Sequence, residues 1–315
     1  MSDDLRPLLH RATYLTGPTA SGKTAVGVAL AERIGAEVIA LDSMTLYRGM
    51  DIGTAKPTPE ERRGIPHHLI DVINPWESAS VAEYRAWAIE KAGEIEARGH
   101  RVLFVGGTPL YLKALLRGLF EGPAAEPEVR LRLEREADDR GDQALHDRLA
   151  QVDPATAARL HPNDRRRVVR ALEVFELTGR PISAFQAEHD RPAEGVDVLA
   201  LERPRGELHD RINRRVEQMF AEGLVDEVRR LQVGPRPIHL VPAQGVGYRE
   251  SIDLLSGRLS EAEAIAQTQA RTRQFAKRQA TWFRGLSEVR LWAVATDEPP
   301  YVTAERLSRV IAGRS

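Results

Sequence analysis

Short apolar runs alternate with longer stretches whose apolar positions recur every three or four residues. That alternation predicts buried strands followed by amphipathic helices. Residues 13–16 (Thr-Tyr-Leu-Thr), 37–41 (Glu-Val-Ile-Ala-Leu), 101–105 (Arg-Val-Leu-Phe-Val) and 196–201 (Val-Asp-Val-Leu-Ala-Leu) read as strands. Residues 25–33, 81–98, 207–231 and 261–284 read as helices, the last being the last long one expected. Ser80 is the expected N-cap of the second, with Tyr84, Trp87, Ala88 and Ile95 near one face. Strands and helices in alternation build a parallel sheet. From Gly122 the character changes: Gly122-Pro123 and Glu126-Pro127 punctuate, and charged helical stretches follow at 128–140, 143–151 and 164–178. The expected organisation is an α/β core from 1–120 and 191–315, with a helical insertion domain at 121–190, each boundary within about ten residues.

The first strand runs into Gly17-Pro18-Thr19-Ala20-Ser21-Gly22-Lys23-Thr24, and a helix follows. Strand, glycine loop and helix together are the setting of a phosphate-binding P-loop. The glycines let the backbone N–H groups turn inward, and the helix adds its positive end. Lys23 supplies a mobile charge for an outer phosphate, and Thr24 a hydroxyl for Mg²⁺. Asp42 and Ser43 lie just past the second strand, where a side chain of an open parallel sheet faces the ligand crevice. Asp42 is placed there to act on the bound phosphate compound or, more plainly, to cap the next turn. The third strand ends in Gly106-Gly107-Thr108. Nucleotide hydrolases of this kind end that strand with a metal-holding acid. The two glycines leave room for a substrate close to the backbone, and Thr108 offers a hydroxyl.

A content of 42% hydrophobic and 29% charged residues is that of a globular chain with ample core. Net charge is only −1, so a polyanion would have to be met by local basic patches. There are no cysteines, which excludes disulfides, cysteine-bound zinc and thiol catalysis, and fits a reducing, cytoplasmic setting. No apolar run approaches ~18 residues and residues 1–11 lack an apolar segment, so neither a membrane span nor a signal peptide is expected. The adjacent His67 and His68 point different ways, which suits packing or hydrogen bonding better than a metal.

Three basic stretches stand out. Arg165-Arg166-Arg167-Val168-Val169-Arg170 is either a polyanion contact or a solvated face. Arg211 and Arg215 are four apart on one helix face, able to grip a diphosphate or to pair with acids. Residues 261–284 interleave Arg271, Arg273, Lys277, Arg278 and Arg284 with Phe275, Trp282 and Phe283, which suits RNA backbone and unstacked bases or a packed helix with a basic outer face. The turn Gln244-Gly245-Val246-Gly247-Tyr248-Arg249 leads into a further helix.

In chain order, GPTASGKT, DSMTLYRGMDIGTAKP, PHHLIDV, VGGTPLYLKALL, LHPNDRRRVVRALEV, QGVGYRE and TRQFAKRQATWFR resemble the bacterial tRNA dimethylallyltransferases (tRNA isopentenyltransferases), over about residues 12–286. The resemblance implies a P-loop-kinase-like core and a helical insertion that swings onto tRNA. It implies transfer of a dimethylallyl group from its diphosphate to N6 of adenine 37, just 3′ of the anticodon, in tRNAs reading codons that begin with U. By the same resemblance Gly17–Thr24 (Gly17, Pro18, Thr19, Ala20, Ser21, Gly22, Lys23 and Thr24) would hold the diphosphate, with Arg215 and Arg211. Thr24 would lie near Mg²⁺, Asp42 would be the general base, and Thr108 would sit beside the adenine. Asp42, Ser43, Met44, Thr45, Thr108, Arg130, Arg166, Arg167, Val168, Val169 and Arg170 would face the tRNA anticodon stem-loop. So would Gln244, Gly245, Val246, Gly247, Tyr248, Arg249, Lys277, Arg278, Gln279, Ala280, Thr281, Trp282, Phe283 and Arg284. Thr45 stands where many relatives carry glutamine, and Pro109 where glycine or methionine is expected. A monomer is expected. The competing readings are an ATP-dependent small-molecule kinase of P-loop fold and an RNA-binding nucleotide switch.

Overall fold

The computed structural model describes residues 6–118, 122–189 and 191–313. Two compact units result, Met1–Leu116 with Pro192–Ser315, and Arg117–Arg191. The joints expected at 120/121 and 190/191 each involve a residue outside the described set.

In chain order the first unit opens with α1 (Arg6–Arg11), β1 (Thr13–Thr16), α2 (Lys23–Ile34), β2 (Ala36–Ala40), α3 (Pro59–Arg62) and β3 (His67–His68). It continues with α4 (Val81–Ala97), β4 (Arg101–Val105) and α5 (Pro109–Arg117). The insertion supplies α6 (Pro127–Arg140), α7 (Asp142–Val152), α8 (Pro154–Ala157), α9 (Arg165–Thr178) and α10 (Ile182–His189). The first unit resumes with β5 (Asp197–Glu202), α11 (Arg205–Ala221), α12 (Leu224–Gln232), α13 (Leu240–Ala243) and α14 (Tyr248–Leu255). It closes with α15 (Glu261–Arg284), β6 (Val289–Ala293) and α16 (Pro300–Ala312).

The six strands form one parallel sheet in the order β3-β2-β4-β1-β5-β6. From β1 the chain steps past β4's place to β2, and from β4 it steps over β1 to β5. The direction of winding therefore reverses beside β1, and every strand delivers its carboxyl end to the same rim, the place where open sheets of this kind bind ligands. The central strands are buried on both faces. Tyr14 and Phe104 stack in the middle of the sheet with ring centroids 4.8 Å apart. Tyr84 on α4 donates from its buried hydroxyl to the Ala40 carbonyl at 2.9 Å, so α4 is tied to β2 by more than its apolar face. Ser80 and Glu83 close a reciprocal capping box at the start of α4, and Ser260 and Glu263 do the same for α15. The insertion has its own core, in which Leu133, Leu145, Leu149, Val168, Leu172 and Val174 are buried together.

The helix expected over 207–231 is two helices. Gly223 sits at φ 99°, a left-handed conformation that costs glycine little, and it breaks the helix before α12. The chain also continues past α15 into an edge strand, β6, and a further helix, α16, that packs against α2.

Candidate active site at the carboxyl rim of the sheet

The P-loop lies beyond β1, and α2 begins at Lys23 with no side-chain cap on its first turn. Uncapped N–H groups at a helix start make an anion site. Two guanidiniums hold the loop from outside. Arg203 Nε donates to the Ser21 carbonyl and Arg211 Nε to the Ala20 carbonyl, both at 2.8 Å. Ala20 adopts φ 63°, unfavourable for a residue with a Cβ, and the Arg211 bond helps to keep it there. With their carbonyls held this way, the loop peptides are fixed. A cleft of about 900 Å³ opens beside them, lined among others by Gly22, Lys23, Thr24, Arg211, Arg214 and Arg215. Arg203, at the exit of β5, has no place in the sequence reading; only its position after a strand hinted at it.

Burial lowers the pKa of Lys23 to about 8, against the pull of Asp42, with Arg215 pushing the same way as burial. Burial likewise lowers the Arg215 guanidinium from its ordinary value, with Asp42 and Glu61 opposing. Lys23, Arg215 and Asp42 thus share one electrostatic neighbourhood that holds more positive than negative charge. It is suited to a ligand bringing several negative charges into a partly dehydrated cleft.

Asp42 and Thr108 meet where β2 and β4 end. The Ser43 N–H donates to Thr108 Oγ1 at 3.2 Å, and the Met44 N–H to Asp42 Oδ1 at 2.8 Å. The capping role weighed for Asp42 therefore engages one oxygen only. Its Oδ2 accepts no hydrogen bond among the described residues. Pro109 is the first residue of α5, where its missing N–H costs nothing, so this departure from the expected residue fits the local backbone.

The protein's own backbone requires glycine at Gly106, and Gly107 packs closely against its neighbours. A Cβ on Gly106 would lie 2.1 Å from the Leu41 carbonyl oxygen, and one on Gly107 2.7 Å from Gln279 Nε2 and 3.2 Å from the Gly17 carbonyl oxygen.

The family model described as IPP transferase matches residues 45–286. The chain belongs to the IPP transferase family. It is 50% identical over 285 residues to a tRNA dimethylallyltransferase of Geobacter metallireducens, covering 90% of this chain and 92% of the relative. It is 51% identical over 276 residues to one of Geobacter sulfurreducens, covering 87% and 89%. Among solved structures, the full-length tRNA isopentenylpyrophosphate transferase of Bacillus halodurans is 40% identical, with a TM-score of 0.70 over 97% of this chain and 98% of that one. A eukaryotic dimethylallyltransferase acting on tRNA is 26% identical with a TM-score of 0.77, over 95% and 77%.

Several side chains that the family resemblance assigned to an RNA surface are interior. Val168 and Val169 belong to the insertion core, and Phe283 and Tyr248 to the core of the sheet unit, because each stands on the apolar stripe of its helix. Thr45 is buried, its hydroxyl turned back to the Asp42 carbonyl at 3.4 Å. Gln279 is buried, and it takes the Thr19 N–H at 2.8 Å, so that amide is not offered to a phosphate here. Gly247 is also buried and caps α14, its N–H bonded to Glu250.

Other predicted contacts are surface groups. Ser43, Met44, Gln244, Gly245, Val246, Ala280 and Thr281 are half-buried or exposed, and Arg249 is exposed beside Asp253. Lys277, Arg278 and Trp282 are exposed on α15, and Arg284 is exposed and paired with Glu202. In the insertion, Arg166 is exposed with no partner among the described residues, and Arg167 meets Asp164 at 3.1 Å. Arg130 and Arg170 are different: both bind Glu173, which is fully buried, at 2.9 and 2.6 Å. Burial opposes ionisation of Glu173. The hydrogen bonds from Arg130, Arg170 and the Glu126 N–H outweigh it and hold the carboxyl below its ordinary value. These two arginines are occupied in holding the insertion together.

Two buried groups that sequence reasoning missed shape the loop after Asp42. The Glu227 carboxylate on α12 accepts the N–H groups of Asp51, Ile52 and Gly53 at 2.9, 2.8 and 3.3 Å, and the Tyr248 hydroxyl at 2.6 Å. Lys56 is buried between Asp51 and Asp71, at 2.5 and 2.6 Å. Glu227 carried a readable signal, an acid in register with buried Leu224 and Val228; Lys56 carried none. The paired histidines bond separately: His68 Nε2 lies 2.6 Å from Glu37 and His67 Nδ1 2.8 Å from the Ile65 carbonyl.

Proposed function

We propose that this protein is a tRNA dimethylallyltransferase that moves a dimethylallyl group from dimethylallyl diphosphate to N6 of adenine 37, beside the anticodon of tRNAs reading codons that begin with U. The observation carrying this reading is the pairing at one rim of an uncapped, arginine-held P-loop with the Asp42 carboxylate, whose Oδ2 accepts no hydrogen bond among the described residues. One half suits a diphosphate leaving group and the other a proton leaving an amine. The names of the relatives, all over most of their length, point the same way.

An exocyclic adenine amine is a weak nucleophile, because its lone pair is delocalised into the ring. The allylic carbon must therefore be made electrophilic by departure of the diphosphate, which gathers negative charge. P-loop N–H groups, Lys23, Arg211 and Arg215 stand ready for that charge before the reaction begins, which is where electrostatic stabilisation is most effective. As the new C–N bond forms the amine becomes acidic, and Asp42 Oδ2 accepts its proton. Thr108, linked through the Ser43 N–H to the same turn, orients the base. The adenine reaches the site by leaving the stack of a single-stranded loop, at a cost of a few kcal/mol.

The donor set also fits Mg²⁺. Thr24 offers a hydroxyl to the cleft, and no cluster of three carboxylate or histidine ligands occurs among the described residues, so the ion would be carried mainly by diphosphate oxygens and completed by Thr24. When bound, it would neutralise charge on the leaving group. The proposal extends to a monomer working in the cytoplasm; no helix among the described residues is long and apolar enough to cross a membrane.

The test compares wild type with Asp42→Ala, given dimethylallyl diphosphate, Mg²⁺ and unmodified tRNA. Wild type should release diphosphate only when tRNA is present and should need no ATP. Asp42→Ala should bind tRNA within a few-fold of wild type and turn over roughly a hundredfold or more slowly. Equal turnover by the two would remove Asp42 from the role of base.

A further inference from the structure

Helix α15 buries Ala276, Gln279 and Phe283 along one stripe and exposes Lys277, Arg278 and Trp282 on the other side. A carboxamide in such a stripe must find partners, since an unpaired buried amide is costly. Gln279 finds two. Its Oε1 accepts the Thr19 N–H of the P-loop at 2.8 Å, and its Nε2 donates to the Gly107 carbonyl at 2.5 Å. A backbone N–H can only donate and a carbonyl only accept, so these partners fix which end of the amide faces which element.

The two partners belong to the two halves of the proposed reaction. Thr19 is part of the loop that holds the leaving group. Gly107 precedes Thr108, which is bonded to the turn carrying Asp42. Gly107 packs tightly here: a Cβ would sit 2.7 Å from Gln279 Nε2 and 3.3 Å from Lys23 Cε, so both side chains would have to shift. One side chain therefore joins the diphosphate loop, the acceptor turn and the helix whose outer face carries Lys277 and Arg278, without carboxylate partners among the described residues.

We propose that Gln279 is a positioning residue through which RNA binding on the outer face of α15 and diphosphate binding in the P-loop are coupled. This rests on the functional reading above. RNA held by Lys277 and Arg278 fixes the same helical turn that fixes Thr19 and Gly107, so the second ligand meets a site already ordered by the first. Gln279 is itself buried, and both ends of its amide are taken up within the protein.

The probes are inorganic diphosphate with Mg²⁺ and an unmodified anticodon stem-loop RNA, each titrated alone and in the presence of the other. In wild type, bound RNA should tighten diphosphate at least fivefold. Gln279→Met keeps the length and loses both hydrogen bonds. It should bind each ligand alone within threefold of wild type while the coupling falls below twofold, and kcat should drop at least tenfold with KM for tRNA nearly unchanged. Should Gln279→Met not fold, Gly107→Ala breaks the same junction from the other side and should abolish the coupling likewise. Coupling of fivefold or more in the folded variant would overturn the proposal, and so would an uncoupled wild type. A drop in RNA affinity with the coupling kept would make Gln279 a direct RNA-binding group instead. Failure of wild type to transfer dimethylallyl in the same preparation counts against the functional reading, and the coupling measurement stands apart from it.

Discussion

Lys23 concentrates the electrostatic logic of the site. Burial brings its pKa down to about 8, so in the free protein its charge is held weakly and is ready to be restored by an anion. Diphosphate binding at pH 8 should therefore take up protons, and affinity should fall as pH rises beyond about 8. Calorimetry in buffers of different ionisation enthalpy reads both, and Lys23→Met should lose the proton uptake. For stability the sign is opposite to that of a paired lysine. The unfolded chain keeps this proton up to the ordinary value near 10.5, and the folded chain releases it near 8. Between those values the unfolded state binds more protons, so the group's contribution to stability rises with pH. A Lys23 contribution that falls with pH in this window, taken as wild type minus Lys23→Met, would mean that the ammonium, which lines the cleft and is half-buried, is not desolvated enough to lower its pKa. Glu173 is the contrasting case: its lowered value means a contribution present above the ordinary carboxylate range and lost as pH falls through the folded value.

At the scale of elements, α15 divides its work by face. The stripe Ala276, Gln279, Phe283 locks it to the sheet unit, and the cations Lys277 and Arg278 are left outward with no carboxylate partner among the described residues. The basic run on α9 looks alike in sequence but is spent differently, since Arg165 meets Asp138 and Asp142 while Arg170 meets Glu173. Replacing Lys277 and Arg278 by alanine should weaken tRNA binding and flatten its dependence on log salt by roughly 0.7 to 0.9 for each phosphate that is no longer neutralised. Replacing Arg165 should instead lower the melting temperature and leave that slope in place. Titrations between 50 and 200 mM salt separate the two, and an unchanged slope for the α15 pair would make its outer face merely solvated. The elements themselves were mostly legible, because strong apolar runs and capping residues mark β1, β2, β4, β5, α4 and α15. The division between α11 and α12 was not, because apolar residues continue in helical register on both sides of Gly223. β6 was not, because Val-Arg-Leu-Trp-Ala sits at a half-exposed edge and shows no buried run.

Over the whole molecule, a net charge of −1 gives no general attraction for RNA, so recognition depends on where unpaired cations remain. That distribution is the part of the site that sequence conveys least. Strand ends were readable as a group: a parallel sheet must bring Gly17–Thr24, Asp42 and Thr108 to one rim, and it does. Whether a given arginine is free depends on a carboxylate supplied by a distant segment, as Arg130 depends on Glu173 and, in the same way, the 51–53 loop on Glu227. Packing also gives Gly106 a close backbone approach, to Leu41, that the sequence did not convey.

The most direct measurement is nucleoside mass spectrometry of unmodified tRNA incubated with the protein, Mg²⁺ and dimethylallyl diphosphate, with ATP replacing the diphosphate in a parallel reaction. The expected result is one added dimethylallyl group on the adenosine 3′ of the anticodon, formed without ATP. An unchanged tRNA alongside consumption of ATP would contradict the account and make the protein a kinase of the same fold.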